Sequence, residues 1–250
     1  MAAADRSNSL LRAEHFALWS RAYRVLDMEG HTDMSQGHLA IRDPDGRGFW
    51  MKRTGISFGE IAHRADFVLV DFDGKKLEGE GGVHGEWPIH VEILRRRPNV
   101  NAIGHTHPFH ACVFSATSEP LRAVAHEGGS LRGPIPRYTD TSNLVNTAQL
   151  GRDLAQVLGD APAVFMRNHG ITFCGCSVEE CVLSGIFLDK ACRAQLLIAA
   201  TGYKWDSPDE TESREKYDTM ITPGYLQNCW AFYERKLARR EEYDRVIQLR

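Results

Sequence analysis

The chain has 250 residues, of which 42% are apolar, 25% charged and 9% aromatic, the proportions of a globular protein with one sizeable core. Thirty Lys and Arg stand against 33 Asp and Glu, a formal charge of −3, so neither nucleic acid nor an anionic membrane surface is an expected partner. Six cysteines are too few and too irregularly placed for a disulfide scaffold.

Asp5, Arg6, Arg12 and Glu14 interrupt the first twenty residues, so no apolar leader is expected, and no uncharged run reaches the roughly 18 residues of a membrane span. The expected location is the cytoplasm, with reduced thiols. From Ser7 to Gly30, Leu11, Leu18, Ala22 and Val25 recur at helical spacing, which predicts an amphipathic helix. His38–Arg42 and Phe49–Lys52 flank Asp43-Pro44-Asp45-Gly46, and Phe67–Asp71 runs into Asp73-Gly74; both are hairpin signals of an antiparallel sheet. Glu86–Arg97 reads as a helix with Trp87, Val91 and Leu94 on one face, tolerating Pro88 in its first turn and stopped by Pro98. Val100–His105, Ala163–Met166 and Ile171–Cys174 read as further strands.

Ser177 and Glu180 form a capping box for a long helix whose buried face is expected at Val178, Val182, Gly185, Leu188, Cys192 and Leu196, ending at Gly202. The polar stretch Lys204–Lys216 reads as a surface loop, and Thr222-Pro223 opens a last, charged helix. No repeat is visible, so residues 1–250 are read as a single domain with a C-terminal helical extension over 203–250.

Histidine is the unusual component: eleven in all, six of them between His84 and His126. In Gly104-His105-Thr106-His107-Pro108 a strand would project His105 and His107 to the same side, where two imidazoles can grip one metal ion. A bare His-x-His arises easily by chance and also fits a pair of hydrogen-bonded or exposed side chains. His169, in a Gly-flanked turn after the strand Ala163–Met166, and Glu86, at the start of a helix, extend the pattern toward three imidazoles and a carboxylate. Cys174-Gly175-Cys176 has no second cysteine pair and reads as packing, and Gly79–Gly85 lacks the full spacing of a nucleotide loop.

Gly85-Glu86-Trp87-Pro88-Ile89-His90, Arg97-Pro98-Asn99-Val100-Asn101-Ala102, His105-Thr106-His107-Pro108 and Arg167-Asn168-His169-Gly170, with Val178-Glu179-Glu180 behind them, together resemble the class II aldolase/adducin family over roughly Leu10–Gly202. The resemblance implies a three-layer α/β/α fold with a mainly antiparallel central sheet, and a cyclic homotetramer with sites at its subunit interfaces. It further implies one divalent ion, Mn2+ or Zn2+, on His105, His107 and His169, with Glu86 as the acid/base carboxylate.

Sugar-phosphate aldolases of that family hold the phosphate with Gly-Asn, Thr-Gly and Ser-Ser pairs. The corresponding positions here are Gly37-His38, Thr54-Gly55 and His84-Gly85, so one anchor is intact and two carry imidazoles. Leu121–His126 also lacks the proton-donating Tyr of those aldolases. The pattern is most similar to the family's metal-dependent decarboxylases of hydroxylated aromatic acids. The implied substrate is a small aromatic carboxylate, 3-hydroxy-2-methylpyridine-4,5-dicarboxylate of vitamin B6 breakdown being the leading expectation. His38, Thr54, Gly55, His84, Gly85, Arg122 and Arg137 are the candidate substrate contacts, the histidines and arginines for a second carboxylate. The rival readings are an aldolase or epimerase acting on a small hydroxy-carbonyl compound, and a non-catalytic, adducin-like interaction module. Retention of Glu86 and all three histidines argues against the last, since a pure scaffold has no need of them.

Overall fold

The structure is a computed structural model that describes residues 13–248. Ser7 and Leu11, the expected start of the first helix, lie outside the described residues. Eight strands form one sheet: β1 (His38–Arg42), β2 (Phe49–Lys52), β3 (Phe67–Val70), β4 (Lys76–Glu78), β5 (Ala102–Thr106), β6 (Arg137–Tyr138), β7 (Ala163–Met166) and β8 (Gly170–Gly175). Their order is β4-β3-β2-β1-β5-β8-β7-β6. Every pairing is antiparallel except β6 with β7.

Seven helices accompany the sheet among the described residues: α1 (Ala13–Met28), α2 (Trp87–Arg96), α3 (Phe109–Ser115), α4 (Ala148–Leu158), α5 (Val178–Ala200), α6 (Glu210–Met220) and α7 (Pro223–Gln248). Alternation along the strands sends Leu39, Ile41, Trp50, Phe67, Leu69 and Ala102 to one face, where α1, α3, α5 and α7 pack. Ala40, Phe49, Met51, Val68, Val70 and Ile103 go to the other face, under α2 and α4. Helices on both faces of a largely antiparallel sheet are the expected three-layer fold.

The start signals behave as expected where a cap is legible. Ser177 accepts from the Glu180 N–H and opens α5, while Gly30, at φ +83°, lies just beyond α1. The buried face of α5 is wider than the expected stripe, since Cys181, Leu183, Ile186 and Phe187 are buried as well, whereas Leu196 is only half-buried. This helix lies between the sheet and α1, α3 and α7, so it needs apolar groups nearly all round. Lys204–Lys216 is not wholly a loop. Asp209 accepts from the Glu212 N–H and starts α6, a helix with no buried side chain and hence no apolar periodicity to betray it. Among the described residues no helix is long and apolar enough to cross a membrane, and all six cysteines are free thiols.

The strand directions determine where chemistry collects. Because β2, β1, β5 and β8 are adjacent and antiparallel, the end of β2, the start of β1, the end of β5 and the start of β8 meet at one edge of the sheet. Lys52, His38 and Gly170 occupy three of those ends, and His105 sits one residue before the end of β5.

Candidate active site

In β5, His105 pairs with His38 of β1 on one side and Thr172 of β8 on the other, so these side chains share the face beneath α2. His107 follows two residues on, just before Pro108 stops the strand and α3 begins. His169 comes from the turn between β7 and β8. Asn168 there adopts φ +55°, a conformation open to asparagine, and a Cβ on Gly170 would lie 2.6 Å from both His107 Cδ2 and the Thr106 carbonyl. The Asn-His-Gly sequence is thus what lets this turn close onto β5.

The His105 Nδ1–H donates to the Ile171 carbonyl at 3.0 Å, which fixes the tautomer and leaves the Nε2 lone pair facing its neighbours. His107 Nε2 lies 3.2 Å from His105 Nε2, and one nitrogen from each of His105, His107 and His169 falls within 4.8 Å of the others. Burial first, and then the neighbouring imidazoles, hold His107 at about 3 and lower His169, so these rings are neutral. Lone pairs aimed at one another this closely repel unless a cation sits among them. Neutral imidazoles of this kind fit a divalent transition metal, so the three histidines can hold one.

Glu86 precedes α2, and its carboxylate spans two jobs. Oε1 accepts the Val145 N–H at 2.8 Å, while Oε2 lies 3.4 Å from His105 Nε2 and 3.8 Å from His169 Nε2. Burial pushes its pKa up, but the His105 and His169 imidazoles and the Val145 N–H outweigh that and hold it at about 2. Glu86 is therefore ionised across the neutral range, with Oε2 turned toward the imidazoles of His105 and His169. A cleft of about 610 Å3, lined by Asp33, His107, Phe109, Leu144 and His169 among others, opens at two of the three imidazoles.

Residues 18–196 match the Class II Aldolase and Adducin N-terminal domain. The chain belongs to the class II aldolase and adducin family. It is 32% identical over 195 residues to 3,4-dihydroxyphthalate decarboxylase of Arthrobacter keyseri, covering 72% of this chain and 77% of that protein. It is 24% identical over 164 residues to the L-fuculose phosphate aldolase of Methanococcus maripaludis, covering 66% of this chain and 86% of the aldolase. In structure it superposes on the L-fuculose 1-phosphate aldolase of Glaciozyma antarctica with a TM-score of 0.79 at 24% identity, over 94% of each chain.

The three candidate anchor positions lie together. The His38 and His84 ring centroids are 4.9 Å apart, and the Thr54 N–H donates to the Gly82 carbonyl at 3.0 Å, drawing the Thr54-Gly55 and His84-Gly85 loops side by side. Two residues not anticipated from the sequence complete this wall. Lys52, fully buried at the end of β2, donates from Nζ to the Ser35 and Ile56 carbonyls at 2.8 and 2.9 Å and lies 3.1 Å from His84 Nε2. Burial pushes its ammonium down to about 8, so at neutral pH it remains largely charged. His90, fully buried in α2, places Nε2 2.6 Å from His38 Nδ1.

Within the chain the two candidate arginines lie apart from the histidine cluster. Arg137 stacks over Phe114 and Phe165, on the face of the sheet opposite His105, and donates to the Phe114, Ser115 and Glu119 carbonyls at 3.1, 2.8 and 3.0 Å. It satisfies the carbonyls at and beyond the end of α3, where a cation is favoured. Arg122 lies over the Trp205 ring and lines a separate cavity of about 360 Å3 that shares no residue with the cleft at the histidines. Arg137→Ala is expected to lower unfolding stability by about 1–3 kcal/mol, as the buried Ser115 carbonyl loses its donor and the Phe114 and Phe165 rings lose their cation. Denaturant titration beside steady-state kinetics checks this: a raised KM with unchanged stability would return Arg137 to the substrate.

Proposed function

We propose that the protein is a metal-dependent carbon–carbon lyase that decarboxylates an ortho-hydroxylated aromatic or heteroaromatic dicarboxylate. The observation that carries the reading is an ionised carboxylate oxygen of Glu86 set 3.4 and 3.8 Å from two of the three imidazoles. Similarity to 3,4-dihydroxyphthalate decarboxylase over 72% of the chain supports the reaction class. That compound and 3-hydroxy-2-methylpyridine-4,5-dicarboxylate share one pattern: a ring carboxylate flanked by a hydroxyl on one side and a second carboxylate on the other. Both are leading substrate candidates.

A divalent ion on His105, His107 and His169, Mn2+ or Zn2+, supplies when bound electrostatic stabilisation of negative charge on substrate oxygens. Glu86 moves the proton. Its ionised Oε2 takes the proton of the ring hydroxyl and returns it to the carbon that bears the adjacent carboxylate. The bond to that carboxyl carbon then breaks, its electron pair flows back to restore the aromatic ring, and CO2 leaves. The ring oxygen is left anionic and regains a proton from water. The Val145 N–H keeps Oε1 fixed, so the proton travels on the other oxygen.

His38, Thr54, Gly55, His84 and Gly85 form the wall that receives the rest of the substrate. The chain is read as one unit with a C-terminal helical extension, working as a cytoplasmic homotetramer. Phe109, 74% exposed, and the exposed Leu144 line the cleft and offer apolar contacts to a neighbouring subunit. An aldolase or epimerase is the second reading, favoured by the retained Thr54-Gly55 pair and the L-fuculose phosphate aldolase similarity. The test is CO2 release from the two dicarboxylates, beside cleavage of L-fuculose 1-phosphate, by metal-loaded protein. CO2 from either dicarboxylate is expected. Efficient sugar-phosphate cleavage with no CO2 from any hydroxy-aromatic acid would establish the second reading instead.

A further inference from the structure

The two imidazoles at the substituted anchor positions are not equivalent, and proton counting separates them. Lys52 carries three N–H donors and has three partners: the Ser35 carbonyl, the Ile56 carbonyl and His84 Nε2. His84 Nε2 is therefore an acceptor. Its remaining proton belongs on Nδ1, in keeping with the ring's backbone hydrogen bond to Arg53. Both nitrogens of His84 are engaged within the protein, which makes this ring a fixed wall.

His38 is different. Its Nδ1 faces His90 Nε2 at 2.6 Å, so one proton lies between the two nitrogens, while its Nε2, unlike His90 Nδ1, is not among the sealed atoms that lack a partner. The proton can belong to either ring. If His38 donated it, neutral His90 would carry its own hydrogen on Nδ1, a buried atom with no partner, leaving an orphaned N–H in the core. If His90 donates, its Nδ1 keeps only a lone pair, and the hydrogen of His38 moves to Nε2. The first arrangement seals an N–H in the core at His90 Nδ1, whereas the second leaves only a lone pair there and puts the hydrogen on the nitrogen that is not sealed. The second arrangement turns His38 into a neutral N–H donor pointing away from His90, with its ring centroid 5.2 Å from that of His105.

We propose that His90 is a positioning residue that holds the proton of His38 on Nε2, and that His38, not His84, donates a hydrogen bond to the substrate's second carboxylate. The identity of that anion rests on the decarboxylase reading; the tautomer does not. A neutral donor recognises a carboxylate without adding a second positive charge beside a metal site, and Lys52, with every donor committed, stays behind His84.

Two measurements that need no turnover test this. Neutron diffraction from the metal-loaded protein is expected to find hydrogen on His38 Nε2 and His84 Nδ1. Hydrogen on His38 Nδ1 would overturn the inference, whatever reaction the protein performs. Equilibrium binding of phthalate and benzoate to metal-loaded protein then asks whether the second carboxylate is what His38 meets. His90→Leu is expected to weaken phthalate about ten- to hundredfold, the range for a hydrogen bond to a charged group, while benzoate changes less than about twofold. His90→Gln, whose side-chain amide can place an N–H near that of His Nε2, is expected to recover most of the loss. Metal content equal to wild type shows that the variants are folded and loaded. Equal weakening of both anions, or of neither, would remove the assignment. Failure of both dicarboxylates to release CO2 would instead remove the decarboxylase reading, and is recorded separately.

Discussion

His107→Ala is expected to strip the divalent ion from the purified protein and to reduce turnover to background. His107 suits the test better than His105. His105 is fully buried within β5, where a truncation would also leave a cavity, whereas His107 lies beyond the strand and is 15% exposed at its side chain. Its Nε2 sits 3.2 Å from His105 Nε2, and without it the remaining pair is a poor cage for a cation that needs three protein ligands. The loss in metal affinity should exceed the roughly 10–100-fold that follows removal of an outer-shell partner. Metal content by mass spectrometry and turnover at matched protein concentration check this. Equal metal and equal turnover in the variant and wild type would mean that the three imidazoles hold no catalytic ion.

Glu86→Gln is expected to keep the metal and lose turnover by roughly 10²–10⁴-fold, the range for removing a general acid/base. Gln retains an oxygen to accept the Val145 N–H, so the loop at Val145 should stay in place. What it lacks is a group that can gain a proton from the ring hydroxyl and release it to carbon. The position of Glu86 before α2 also stabilises its charge through the helix dipole, but that contribution is at most about 1 kcal/mol and would appear as stability, not as rate. Since its pKa stands at about 2 in the free protein, the carboxylate is ready as a base throughout the neutral range. Protonation would disable it only as the pH falls toward that value, so the profile of kcat/KM should show no acid limb from Glu86 near neutral pH. Turnover within a few-fold of wild type at full metal occupancy would show that another group moves the proton.

The parts of the site that could be read from the sequence are those set by local geometry. His105 and His107 share a side because strands alternate, and Asn168-His169-Gly170 announces a tight turn through its own residue types. Lys52 was hidden because nothing local distinguishes a lysine ending a strand in solvent from one folded under the Ser35 and Ile56 carbonyls. His90 was hidden for a related reason: burial on α2 depends on β1, some fifty residues earlier, presenting His38. The surroundings of Arg137 were hidden too, since only the face assignment of β6 and the position of α3 reveal the carbonyls it meets within the chain. Helix α4 carries local signals of its own. Thr147 caps it, Leu150, Leu154 and Leu158 follow at four-residue spacing, and Gly159 closes it.

The meeting of four strand ends at one edge of the sheet has a consequence for biosynthesis. His105 and His107 leave the ribosome more than sixty residues before His169, and no segment between them supplies the third imidazole. A nascent chain paired only through β5 therefore offers two ligands at most, and the third arrives when β8 docks on β5 from the far side of β1. Capture of a metal by all three histidines would thus be coupled to the pairing of β8 with β5. A metal present during refolding should leave the early steps untouched and trap the finished fold, with a gain in stability that grows with the logarithm of metal concentration.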